Sequence, residues 1–114
     1  MQYDNYEVVI YELETLLSNY FDDKISAFTI YGQRNRPFVA FHMEFTLYNF
    51  YNIILNYERD SFGCAIIHSD KHGVSLPNSQ KLYEKAELDI FVKELDEEIR
   101  LLIPDKFLQH YGWL

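Results

Sequence analysis

From Tyr6 to Phe21 the apolar positions recur every three or four residues: Tyr6, Val9, Ile10, Leu13, Leu16, Leu17, Tyr20 and Phe21. That spacing lays them on one side of an α-helix. Asp4 and Glu7 have capping-box spacing at its start, where a side-chain oxygen and the third helical N–H satisfy each other. The helix is expected to stop near Asp22 and Asp23, because carboxylates are unfavourable at the negative end of a helix dipole. Beyond it the period changes to two. "ISAFTIY" is short and rich in β-branched and aromatic residues, and "GQRNRP" breaks it before "FVAFHMEF", so the pair reads as a hairpin. In the second strand Val39, Phe41, Met43, Phe45 and Leu47 alternate with Phe38, Ala40, His42, Glu44 and Thr46, which assigns the odd-numbered set to the core.

"TLYNFYNIILNYE" fits two periods, since Leu47, Phe50, Tyr51, Ile54 and Leu55 also suit a helix. Its aromatic and β-branched content, with Tyr51, Ile53, Leu55 and Tyr57 on one side, favours a strand, and "ERDSFG" then turns the chain into the strand "CAIIH". Loop chemistry in "SDKHG" and "LPNSQ" surrounds a short strand expected at Val74 to Leu76. The last long helix lies in "LDIFVKELDEEIRLLIP", with Leu88, Phe91, Val92, Leu95, Ile99 and Leu102 as its core stripe. Pro104 suits the first turn of a short closing helix that Gly112 can cap. Helix, four or five antiparallel strands, then helices: this order predicts a two-layer α+β domain spanning residues 1–114. With both long helices on one face, the other would stay partly open and carry Phe28 or Phe38, with Phe50, beside His42 and Glu44.

A length of 114 residues, 48% hydrophobic and 25% charged, suits one packed domain. The apolar runs are far shorter than the ~20 residues that cross a bilayer, and "MQYDNYEVV" has no signal-peptide pattern. With one cysteine, Cys64, a reducing cytoplasmic setting is expected. Eighteen acidic residues against ten Lys and Arg give a formal charge of -8. Such a field repels phosphate backbones and anionic lipid, so neither nucleic acid nor a membrane surface is an expected partner, whereas a basic protein is.

Candidate chemistry is sparse. His68, Asp70 and His72 in "HSDKH" have the composition of zinc ligands but lack a recognisable third or fourth one, so the stretch reads as a polar loop. Cys64 and His68 on one strand would stand ~13 Å apart, too far for a nucleophile and its base. No Gly-rich phosphate loop, CxxC, HExxH or GxSxG occurs. No catalytic residue, metal or cofactor is therefore assigned. Two other classes stay open: an enzymatic or small-ligand domain with His42, Glu44 and Tyr57 in an aromatic pocket, and an intracellular adaptor or structural subunit that would use the acidic closing helix in a permanent complex.

The remaining signal is surface chemistry. At 100° per residue the closing helix carries Glu87, Glu94 and Glu98 along one flank with Ile90 and Leu101 beside them, and Asp89 and Asp96 on the other. Lys93, Glu97 and Arg100 face away from the core at spacings that allow pairing. Carboxylates interleaved with apolar side chains suit a basic, partly apolar partner, and the ten tyrosines add side chains favoured at interfaces. Small, acidic, tyrosine-rich and without a catalytic motif, and closing on "LLIPDKFLQHYGW", the chain resembles the immunity proteins of bacterial polymorphic-toxin systems, including those paired with contact-dependent or type VII secreted toxins. The resemblance implies tight, non-catalytic binding of one cognate toxin domain, often a basic nuclease. The partner-binding residues expected from the surface pattern are Glu87, Ile90, Glu94, Glu98 and Leu101, with Phe38, His42 and Glu44 on the open sheet.

Overall fold

The structure, a computed structural model, describes residues 5–67 and 73–114. Asp4 of the expected capping box, and His68, Asp70 and His72, lie outside them. The first helix, α1 (Tyr6–Phe21), is capped by Asn5, whose extended backbone lets its side-chain oxygen accept the Glu7 N–H at 2.7 Å. One of the donors left open by a helix's first turn is thereby satisfied. Val9, Leu13, Leu17 and Phe21 form its buried stripe. The helix ends where Asp22 takes a positive φ of 52°, and one 3₁₀ turn over 22–24 leads into the sheet.

Five strands follow: β1 (Ile25–Arg34), β2 (Ala40–Leu47), β3 (Tyr51–Glu58), β4 (Ser61–Ile67) and β5 (Gly73–Leu82). They form one antiparallel sheet in chain order. Two helices close the chain, α2 (Lys85–Leu101) and α3 (Asp105–His110). The sheet's core face is built from Phe41, Met43, Phe45 and Leu47 of β2, Ile53, Leu55 and Tyr57 of β3, and Phe62, Cys64 and Ile66 of β4. Against it pack the α1 stripe and Phe91, Val92, Leu95 and Ile99 of α2, all within one core cluster. Each large apolar side chain so enclosed contributes about 1.5–3 kcal/mol. The result is the expected two-layer α+β architecture, with a five-stranded sheet and helices on one face.

Several expectations are corrected in detail. Residues 48–50 are not strand: Tyr48 and Asn49 take positive φ and the Phe50 N–H returns to the Leu47 carbonyl at 3.0 Å, turning β2 into β3. The strand expected at 74–76 extends over ten residues, and Pro77 is tolerated there because β5 is an edge strand. Leu102 leaves the core stripe, since the helix stops at Leu101; it is half-exposed and Ile103 is buried in its stead. Phe28 belongs to the core side, its ring 5.8 Å from Phe45. A bulge between Ser26 and Thr29, where Ala27 has a φ of 61°, shifts the alternation there. Phe50 also turns toward the helices, 4.8 Å from Phe107 of α3. Phe38 precedes β2 instead of belonging to it.

Candidate partner-binding site

The two flanks of α2 do different things. On one, Asp96 accepts hydrogen bonds from Tyr20 of α1, at 3.1 Å, and from the buried Tyr48 of the β2–β3 turn. This carboxylate ties both helices to the sheet. Burial, then the hydrogen bond to Asp96 and its charge, hold the Tyr48 phenol well above its usual pKa, and the Tyr20 phenol is raised by the same kinds of cause. Along the other flank the expected acidic row is divided. Glu94 meets Lys81 of β5 at 2.6 Å, so a cation 13 residues away in sequence already holds it. Glu87 lines a different hollow, with Gln80, Lys81 and Leu82 of the β5 edge. Ile90 is 45% exposed.

Glu94, Glu98 and Leu101 do come together, in an open groove of about 550 Å³ between α2, α3 and the chain end. Asp96, Glu97 and Asp105 complete its carboxylates, Leu108 and Leu114 add apolar wall, and Arg100 is its one cation among the described residues. Leu101 is 86% exposed, the largest value among the described large hydrophobic residues. Arg100 donates to the Trp113 carbonyl at 3.4 Å, and no ion pair joins Lys93, Glu97 and Arg100 to one another among the described residues. The C-terminal wall is fixed by aromatic contacts: Trp113 stacks on Tyr111 at 4.8 Å and meets the edge of Tyr48 at 5.5 Å, while its N–H reaches the Leu108 carbonyl at 2.8 Å. Glu97, Asp105, Leu108 and Leu114 were not among the expected contact residues. Glu97 is legible as outward-facing, but Asp105 and Leu108 of α3 and the terminal Leu114 join the groove only through the fold of the chain after Pro104.

The open sheet face has another character. The Tyr31 hydroxyl donates to Glu44 at 2.6 Å, His42 Nδ1 and Asn56 Oδ1 stand 2.5 Å apart, and Thr46 donates to Asn52 at 2.9 Å. Tyr31 also lies against the His42 ring, 5.1 Å between centroids. The hydrogen bond to Glu44, with burial and the carboxylate charge, pushes the Tyr31 phenol up to about 12. His42 and Glu44 thus share a face, as the alternation requires. Tyr57 does not join them: it points to the core, 2% exposed and stacked on Phe41 at 5.0 Å. Phe38 sits at the end of the sheet against Arg34 and Arg59.

Cys64 is buried. Among the described residues no three His, Cys, Asp or Glu side chains gather where they could hold a metal ion, and no helix is long and apolar enough to cross a membrane. No protein-family model matches the chain, and no curated protein or solved structure shows significant similarity to it.

Proposed function

We propose that this protein is a non-catalytic binding domain acting as an immunity protein, neutralising a cognate basic toxin domain through the groove between α2 and α3. The observation that carries the reading is Leu101, 86% exposed in a groove lined by the carboxylates of Glu97, Glu98 and Asp105, with Glu94 beside them paired to Lys81. An apolar side chain within a field of one sign suits a partner that brings lysine or arginine beside an apolar surface. Charge steers such an encounter, and exclusion of water from the apolar centre holds the complex together. Glu87 and Ile90 would lie toward the edge of that contact. The immunity assignment itself rests on the whole-chain resemblance, and a cytoplasmic location would accompany it.

The test is co-expression with the product of the adjacent gene. A stable one-to-one complex, and loss of that product's toxicity when this protein is present, is the expected result. An adjacent product that neither binds nor is neutralised would contradict it.

A second reading, a small-ligand or enzymatic role on the open sheet, draws on Tyr31, His42 and Glu44 lying together. Because the polar groups of that face are largely engaged with one another, it is the weaker of the two.

A further inference from the structure

Three of the four arginines, Arg34, Arg36 and Arg59, stand at one end of the sheet, in and beside the β1–β2 loop and the β3–β4 turn. In a chain of net charge -8 this gathers cations at one place, with Glu58 and Asp60 the acidic residues of the same turn. The guanidinium carbons of Arg34 and Arg59 lie 5.0 and 4.3 Å from the centroid of the same Phe38 ring, within cation–π range. Arg34 approaches Glu58 only at 4.0 Å, both side chains at least half-exposed, and no described carboxylate pairs with Arg59. The backbone adds an independent observation. Arg59 and Asp60 form a two-residue hairpin turn with φ of 52° and 63°, the left-handed region that such turns normally fill with Asn-Gly or Asp-Gly. Arginine is an unfavourable choice there, and strained positions of this kind concentrate at functional sites. Neighbouring contacts hold the turn: Arg59 N–H to the Val39 carbonyl at 3.2 Å, and Tyr83 N–H to the Asp60 carbonyl at 2.7 Å.

We infer that the Arg34–Phe38–Arg59 stack is a recognition site for carboxylates on an acidic segment of a protein partner. A guanidinium held over a ring by its carbon still has N–H groups to offer to the two-pronged contact that a carboxylate accepts. Because the ring already limits its rotamers, less side-chain entropy is lost on binding. Nucleic acid also supplies anions, and the oligonucleotide arm of the titration below distinguishes it from a carboxylate segment. The site stands apart from the acidic groove: Ala40 and Glu58 mark its end of β2 and β3, whereas Leu47 and Tyr51 mark the end nearer Asp96 and Leu102. Eight-residue strands separate these ends by roughly 25 Å. The inference does not depend on the immunity reading.

The experiment is an NMR titration of the full chain with a hexaglutamate peptide, following the side-chain Nε–Hε signals of Arg34 and Arg59. Sodium chloride at matched ionic strength, inorganic phosphate and a single-stranded oligonucleotide serve as comparisons. Saturable shifts with the peptide, absent with chloride and weaker with the other two anions, are expected. Arg59→Gly should weaken peptide binding about tenfold, the scale of one charge-assisted hydrogen bond, while leaving the melting temperature unchanged or higher because glycine relieves the positive φ. Arg59→Lys keeps the charge without the fork and should also lose most of the affinity. Peptide shifts that are absent or matched by chloride, or a preference for phosphate or the oligonucleotide, would overturn the assignment. So would full affinity in either variant, which would leave the stack a cover for Phe38.

Discussion

On the open sheet face, polar side chains have found one another: Tyr31 with Glu44, His42 with Asn56, Thr46 with Asn52. In the groove beside α2, carboxylates gather around an exposed leucine, with Arg100 in the lining and Lys81 paired to Glu94 as the described cations near them. The first surface can face water as it stands. The second combines an apolar group that gains from leaving water with a field that gains from an opposite charge. The difference shows why an aromatic, polar sheet face is weaker evidence of a binding site than a less ornate helix flank.

Asp96, which lines the groove while holding two tyrosines, is where this contrast is most readily broken. If its main task is to hold Tyr20 and Tyr48, Asp96→Ala leaves the buried Tyr48 hydroxyl without its acceptor and costs about 2–3 kcal/mol, measurable by urea unfolding. A loss near zero would return Asp96 to the binding surface. The same tie has a pH signature. The Tyr48 and Tyr20 phenols are raised in the folded protein, whereas the unfolded chain releases its tyrosine protons near pH ~10. The stabilisation is complete below that pH and falls as pH rises beyond it through the folded values. Unfolding midpoints should therefore drop above pH ~10, less steeply in Asp96→Asn.

Trp113→Ala tests the groove's far wall. The side chain is partly buried, so about 2 kcal/mol is expected, below the 3–5 kcal/mol of a fully enclosed tryptophan. An unchanged urea midpoint would mean that the tail does not brace the wall. Smaller still is the effect on the sheet: His42→Ala and Glu44→Gln should each cost about 0.5–1 kcal/mol, the scale of an exposed hydrogen bond, and leave affinity for a toxin domain unaltered. A loss of affinity in either would move the interface to the open face.

The layers of this fold were readable because burial imposes a period. The odd-numbered residues of β2 face the core and the α1 stripe is enclosed, as their spacing requires. What the period could not reveal depends on contacts distant in sequence. Glu94 belongs to the same helix flank as Glu98, yet Lys81 takes it, and nothing within "FVKELDEEIR" announces that. Asp96 matches Asp89 on a helical projection, and only Tyr48, from a turn 48 residues earlier, distinguishes it. Alternation alone leaves Phe28 or Phe38 for the open face, and it cannot show that a bulge at Ala27 turns Phe28 to the core side. Tyr57 was grouped with His42 by chemistry although its odd number already placed it on the core side. Arg34 and Arg59 were visible only as parts of turns, and Phe38 unites them in space.

The central claim concerns the α2 groove, and the association rate measures it most directly. A double variant, Glu97→Lys with Leu101→Ala, alters two exposed positions and should leave stability within about 0.5 kcal/mol. Its binding to the proposed toxin partner, followed by stopped flow across salt concentrations that shorten the screening length from ~10 Å at 0.1 M to ~3 Å at 1 M, separates steering from contact. The expected result is slower association with a flatter salt dependence, together with faster dissociation from the lost leucine. Wild-type rates at every salt concentration in a correctly folded double variant would contradict the account and leave the groove a solvated surface.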